Sequence, residues 1–222
     1  MIKAVIFDMD GVIIDSEPFW REAEMHVFNG IGVKMTEEMC VQMKGTKIDE
    51  VVKHWYSVYK WKGPTVKEVE EQVIEKFISL INEKGKPMSG LMGLLEYLQS
   101  SGYKIGLATS SPFKIMNATL DKLNIQGHFD IKHSAEAEKK GKPAPDVYLK
   151  TAHLLAVKPE DCLAIEDSYA GIQAAKSAGM YTVALPEPPE FELEKYDLAD
   201  EKIKSLKEVI HLKILDDTSV LK

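Results

Sequence analysis

Residues Met1–Glu17 read MIKAVIFDMDGVIIDSE. The apolar run Ala4-Val5-Ile6-Phe7 stops abruptly at Asp8, and Asp10 and Gly11 follow. A short, β-branched run of this kind is the pattern of a strand buried on both faces, as in a parallel sheet. Side chains two apart along a strand point the same way. Asp8 and Asp10 therefore share a small space just past the strand's carboxyl end. Like charges so crowded repel and raise a pKa unless a cation offsets them. Gly11 lets the chain turn there without a side chain filling the space. An acidic turn after a strand has the same local pattern, so the remainder of the chain has to decide between the two readings.

Downstream of Asp15-Ser16-Glu17-Pro18, a polar turn with helix-start residues, the pattern is helical from Phe19 to about Leu80. Val69, Val73, Phe77 and Ile81 form one apolar stripe. The segment contains no convincing strand. A helical stretch inserted after a single strand predicts a small separate domain, residues 16–87, ending near Gly85-Lys86-Pro87. Beyond it, helices and strands alternate. Helices are expected at Leu91–Leu98, 113–124, 145–156 and 170–178, and strands at Lys104–Ala108, 129–132, Cys162–Ile165 and Tyr181–Leu185. That alternation predicts an α/β fold, a doubly wound, Rossmann-like parallel sheet formed by residues 1–15 and 88–222, with the helical insertion as a cap. From Glu187 onward a loop and a terminal helix are expected, with the last residues frayed.

A chain of 222 residues can bury a full core. Its 45% apolar and 28% charged content is that of an ordinary soluble protein. The net charge of −7, with no dense basic stripe, argues against a nucleic-acid partner. It also means that an anionic ligand needs local positive charge. Cys40 and Cys162 fit no metal spacing and, with no secretory leader, read as reduced thiols of a cytoplasmic protein. No apolar run approaches the roughly 20 residues that span a membrane, and the lack of a long apolar surface run favours a monomer.

Ligands of such sheets bind beyond the carboxyl ends of the strands. Those positions carry Asp8 and Asp10, then Thr109 and Ser110, then Glu166 and Asp167, while Lys142 precedes the helix that bears Tyr148. Together they make a phosphate site. Hydroxyl and N–H groups of Thr109 and Ser110 near a helix start can donate to phosphate oxygens, Lys142 adds positive charge, and Asp8, Asp10 and Asp167 offer the hard oxygens that bind magnesium. Taken singly, Thr109-Ser110-Ser111 and Glu166-Asp167-Ser168 also read as helix caps, and Lys142 as solvated surface. Four such groups at successive strand ends or helix starts favour the joint reading.

In this order the motifs Asp8-Met9-Asp10-Gly11, Thr109 after Gly106-Leu107-Ala108, Lys142-Pro143 and Glu166-Asp167 resemble those of the haloacid dehalogenase-like hydrolases, mostly magnesium-dependent phosphatases. The resemblance covers the whole chain and matches residues 16–87 to the family's mobile cap. It implies that Asp8 is the nucleophile and forms an aspartyl-phosphate, and that Asp10 is the acid/base. It also implies a magnesium ion held by Asp8, the main-chain carbonyl of Asp10, and Asp167, with Glu166 supporting. Met9, Thr109, Ser110 and Lys142 would join Asp8 and Asp10 in binding phosphate.

Within the family, dehalogenases and phosphonate-cleaving relatives lack the second Asp, so Asp10 favours phosphoryl transfer. The β-phosphoglucomutases carry a His where Trp20 stands and a Gly-Val-Ser-Arg-like loop where Gly45-Thr46-Lys47-Ile48 stands. Ser16–Trp20, Gly45–Tyr56, Trp61–Pro64 and Ala108–Pro112 look like the 2-deoxyglucose-6-phosphate or hexitol-phosphate phosphatases. The expected function is hydrolysis of small phosphomonoesters, with Lys47, in the matching cap loop, contacting substrate rather than simply solvated, and the cap tryptophans packing rather than stacking on sugar. A mutase and a catalytically silent sugar-phosphate binder are the alternatives, and phosphatase turnover separates them.

Overall fold

The computed structural model describes residues 1–215. Its centre is the expected α/β doubly wound parallel sheet, with six strands in the order β3-β2-β1-β4-β5-β6, every pair parallel. The strands are β1 Ala4–Phe7, β2 Lys104–Thr109, β3 Ile131–Ser134, β4 Cys162–Glu166, β5 Tyr181–Ala184 and β6 Glu201–Lys202. Four helices, α1 Glu17–Gly30, α2 Glu37–Gln42, α3 Ile48–Tyr59 and α4 Val66–Lys84, lie between β1 and the rest of the sheet. The helices α5 Leu91–Ser100, α6 Phe113–Leu123, α7 Asp146–Leu154 and α8 Tyr169–Ser177 then alternate with the remaining strands.

The period-2 alternation of β1 sorts the two faces. Val5 and Phe7 pack in one core cluster with Leu94, Leu98 and Leu120 of α5 and α6. Ala4 and Ile6 pack in another with Val147, Ala152 and Ala174 of α7 and α8. That second face is lined with small residues, and the helices approach closely. A Cβ on Gly106 would come within 2.9 Å of Thr151 Cγ2 in α7.

The path into and out of the inserted helices is a pair of adjacent strands of chain. The Met88 N–H donates to the Ile13 carbonyl at 2.9 Å, and Ile14 bridges to Pro87. Among these helices the apolar stripe of α4 is buried, from Val69 through Ile81. Its start is closed by a capping box in which Thr65 and Glu68 satisfy each other's backbone N–H groups. Trp20 of α1 stacks on Phe77 of α4, with ring centroids 3.8 Å apart and planes 24° from parallel.

Two elements differ from the sequence expectation. The strand expected at 129–132 lies at Ile131–Ser134, because a 3-10 turn at Gln126–His128 takes up the chain first. It is an edge strand whose first two residues are partly exposed, so no continuous apolar run marks it. Within the described residues the tail forms 3-10 turns, among them Leu206–His211, and the short edge strand β6 in place of an α-helix. Both residues of β6, Glu201 and Lys202, are charged and give no strand signal. The frayed end expected from the sequence lies outside the described residues.

One buried carboxyl stands out among the inserted helices. Glu24 of α1 accepts a hydrogen bond from the Cys40 thiol of α2, while its Oε2 has no hydrogen-bond partner among the described residues. Burial pushes its pKa from 4.5 up to about 7, opposed only by the Cys40 hydrogen bond.

Two predictions follow from this packing. Phe77→Ala removes the stack on Trp20 and a fully buried ring, and is expected to cost about 3–5 kcal/mol in urea or thermal unfolding. For Glu24 the sign follows from a raised folded-state pKa: the unfolded chain ionises first, so stability is lost as pH rises. Between about pH 4.5 and pH 7 the wild type should lose about 3 kcal/mol relative to Glu24→Gln, read as the difference between their stability–pH curves.

Candidate active site

The strand order reverses between β1 and β4, the place where a doubly wound sheet opens a crevice. β1 delivers Asp8 and Asp10 to its rim, β4 delivers Glu166 and Asp167, and neighbouring β2 delivers Thr109 and the serines after it. The register pairs Phe7 with Ile165 and with Leu107, so the three strand ends are level. Gly11 takes φ +72°, and a Cβ there would collide with the Asp167 carboxylate. A Cβ on Gly171 would collide with Glu166 in the same way. Both glycines leave room for a carboxylate.

Lys142 is the hub. Its ammonium donates to Asp8 Oδ1 at 2.6 Å and to Glu166 Oε1, and all three side chains are buried. Glu166 is fully committed. Oε1 also accepts from the Tyr148 hydroxyl at 2.6 Å, and Oε2 accepts from the Ser168 N–H and Oγ at 3.3 and 3.1 Å. Ser168 in turn caps α8 by accepting from the Gly171 N–H. Four hydrogen bonds thus fix Glu166, and Glu166 fixes Lys142 against Asp8. Burial alone would strip Lys142 of its proton, but Asp8 and Glu166 outweigh it and hold the ammonium charged.

Asp10 is held separately. Ser111 Oγ donates to its Oδ2 and Ser16 Oγ to its Oδ1, both at 2.6 Å. Burial raises its pKa, and these hydroxyl bonds pull against the rise. Asp8 is raised well above the usual carboxylate range, chiefly by burial, with Lys142 opposing and the neighbouring carboxylates adding. Burial brings Asp167 up to about 6.

The charges here call for a cation. Asp8, Asp10, Glu17, Glu166 and Asp167 crowd together, with Lys142 and Lys44 as the cations paired to them and Arg21 of the same cavity turned to Glu187. Oxygens of Asp8, Glu166 and Asp167 lie within 4.8 Å of one another and could hold a metal ion. Glu166 is already saturated, so the open donors are Asp8 and Asp167. Lys44 comes within 2.7 Å of Asp167 Oδ2 as an ion pair, yet among the described residues neither atom has a properly directed hydrogen bond. A buried carboxylate oxygen left without a directed partner, in a set of hard oxygens, suits a small divalent cation.

The other expected residues fall as follows. The Met9 side chain is buried in the core, so it offers only its main chain. Thr109 Oγ1 accepts from the Ser111 N–H at 3.0 Å, which shapes the turn after β2. Ser110 Oγ donates to the Gly45 carbonyl at 2.9 Å, joining the sheet to the loop between α2 and α3. Lys47 is not in the cavity with Asp8. Its stem lies over Gly141 and its side chain lines an adjoining groove with Lys53, Lys67 and Glu136.

Sequence reasoning missed Lys44, Ser16, Ser111, Glu17 and Glu24, all of which line the cavity or bond its carboxylates. Ser111 sits in the quoted Thr-Ser-Ser run and Lys44 beside Gly45, which were the available signals. Glu17 and Glu24 gave none, since an acidic residue on a helix ordinarily faces water.

The comparisons with known proteins agree with this geometry. A family model described as haloacid dehalogenase-like hydrolase matches residues 5–185. Hexitol phosphatase B of Escherichia coli K12 is 38% identical over 209 residues, covering 94% of each chain. β-Phosphoglucomutase of Bacillus subtilis is 35% identical over 193 residues, covering 83% of each. The crystal structure of CbbY from Rhodobacter sphaeroides in complex with phosphate superposes with a TM-score of 0.86 at 26% identity, covering 97% of this chain and all of that one. With its β1 and β4 carboxylates gathered at the sheet's crevice and this match over most of its length, the chain belongs to the haloacid dehalogenase-like hydrolases.

Proposed function

We propose that this protein is a magnesium-dependent phosphatase that hydrolyses small phosphomonoesters, sugar or hexitol phosphates such as 2-deoxyglucose 6-phosphate, through an aspartyl-phosphate. The observation that carries the reading is Asp8 clasped by the buried Lys142 ammonium, with Asp10 two residues on and held apart by its own pair of serines. The similarity to a hexitol phosphatase and the family membership support it.

In this reading Asp8 attacks phosphorus and the bond to the alkoxide breaks. Asp10, whose pKa burial raises, gives its proton to the leaving oxygen. Asp10 then takes a proton from the water that attacks the phosphorus of the intermediate. The acyl-phosphate bond breaks, releasing inorganic phosphate and the Asp8 carboxylate. Lys142 and the donors at Thr109 and Ser110 stabilise the charge on the transferring oxygens. Magnesium, held by Asp8, the Asp10 carbonyl and Asp167, would supply further positive charge there. Glu166 keeps Lys142 in place and makes no contact with substrate.

The helices α1 to α4 act as a cap that covers the cavity. Contacts that cross from them to the rest of the chain beside the cavity include Lys44 with Asp167, Ser110 with Gly45, and Arg21 with Glu187 at 3.3 Å. Closure through these contacts keeps bulk water from the intermediate. Similarity to a β-phosphoglucomutase keeps the mutase as a second reading. Trp20, in the place of the mutase His, stacks on Phe77 and offers no imidazole for proton transfer. Among the described residues no helix is long and apolar enough to cross a membrane, which fits a cytoplasmic enzyme of small-molecule substrates.

Phosphate release across a panel of hexose, hexitol, nucleotide and glycolate phosphates tests the proposal. Release from hexose or hexitol phosphates that disappears with chelator and returns with magnesium is expected. Interconversion of β-glucose phosphates without net release would instead establish the mutase. Asp8→Asn should remain folded and lose turnover; a variant with near-wild-type rates would remove Asp8 from the nucleophile's role. Lys142→Ala should lower kcat and raise KM together.

A further inference from the structure

The face of α1 toward the cavity is spaced as a helix requires: Glu17, Trp20, Arg21 and Glu24 recur at three- and four-residue intervals and all line it. Glu17 lies at the chemical end, close enough to Lys44 and Asp167 to feel both charges. Glu24 is two helical turns further on, about 10 Å along the axis. The same cavity has an apolar portion of its lining, to which Val41, Ile48 and Val51 contribute.

The one protein group that Glu24 bonds among the described residues is the Cys40 thiol, a weak donor that leaves half of the carboxyl unused. It is 6% exposed, and among the described residues it forms no ion pair and its Oε2 has no hydrogen-bond partner. The guanidinium of nearby Arg21 is directed to Glu187 instead. A buried acceptor left unpaired costs stability, and an apolar side chain of similar size would fill the same space without that cost. Such a group is expected where a ligand completes it. The cavity that Glu24 lines is the one that holds Asp8, and Asp8 defines where a phosphoryl group must sit. A substrate bound there extends its carbon chain away from Asp8 into the space covered by α1.

We infer that Glu24 is a specificity-determining residue whose free carboxyl oxygen bonds a hydroxyl on the carbon chain of a polyol or sugar phosphate, so that the enzyme selects hydroxylated phosphomonoesters over plain ones. This rests on the phosphatase reading above and deepens it. A site that bonds a substrate hydroxyl rejects analogues lacking it far more strongly than an apolar pocket rejects an added group. Glu24 takes no part in the transfer itself; its effect is confined to which phosphomonoester is held.

The test compares kcat/KM for sorbitol 6-phosphate with that for phenyl phosphate, in the wild type, Glu24→Gln and Glu24→Met. The ratio between the two substrates is expected to fall about tenfold or more in Glu24→Met, the change sitting in KM for the polyol phosphate, with a smaller fall in Glu24→Gln. Thermal melts of the free proteins accompany the kinetics. Glu24→Met should melt no lower than the wild type at pH 8, since it removes an unpaired buried acceptor. A ratio unchanged in both variants overturns the inference, and a lowered melting temperature with that unchanged ratio identifies Glu24 as a packing residue only. If the wild type turns over neither substrate, the phosphatase reading fails by itself. The hydroxyl contact is then read from thermal protection by sorbitol 6-phosphate against inorganic phosphate. Extra protection by the polyol phosphate in the wild type that is lost in Glu24→Met supports the inference, and equal protection in both proteins overturns it.

Discussion

Three buried side chains, Asp8, Lys142 and Glu166, form one continuous ion triad, and the site is arranged around it. Each charge would be costly alone: removing one partner of a buried pair typically costs about 3–5 kcal/mol because the other is left uncompensated. The triad therefore ties β1, β4 and the segment before α7 together as well as setting up chemistry. Its cost is offset by saturation. Glu166 accepts four hydrogen bonds, and the Lys142 ammonium donates to Glu166, to Asp8 and to the Ala108 carbonyl.

The sheet makes this possible. In the order β3-β2-β1-β4-β5-β6 the reversal falls between β1 and β4, so both acidic pairs meet in one crevice although more than 150 residues separate them in the chain. Small residues do the rest. Gly11 and Gly171 leave the volume that the Asp167 and Glu166 carboxylates occupy, and Gly106 lets α7 approach the sheet. The cavity is closed by helices that belong to the other end of the first loop, and polar contacts join the two. Gly45 of that loop packs so closely on Ser168 that a Cβ would come within 2.6 Å of its Oγ. Ser168 also bonds Glu166, so the covering loop rests on a residue that in turn holds Glu166, the partner that orients Lys142.

How far the sequence could be read depended on the kind of signal. β1, β2, β4 and β5 are internal strands with near-continuous apolar runs, and their ends marked Asp8, Thr109 and Glu166 directly. β3 and β6 are edges, half-exposed or charged, and pattern alone misplaced one and passed over the other. The hub lysine, which alone reads as solvated surface, was legible only jointly with the three strand ends and through the family resemblance of Lys142-Pro143. Lys44 and Lys47 were not separable by pattern. They are three residues apart around a loop containing Gly45 at φ +81°, and the turn sends Lys44 to Asp167 and Lys47 to the outer groove. Glu24 was invisible for a different reason: its burial comes from α2 and α3 folding over it, a tertiary fact that no local period carries.

The central claim is that Asp8, poised by Lys142, is itself phosphorylated, so that transfer takes two in-line displacements. The most direct measurement is the stereochemical course at phosphorus, followed with an isotopically chiral phosphate ester that transfers to an acceptor alcohol. Each in-line displacement inverts the configuration. Net retention is the predicted result. Net inversion would mean that the acceptor attacks the substrate directly and that Asp8 never carries the phosphoryl group.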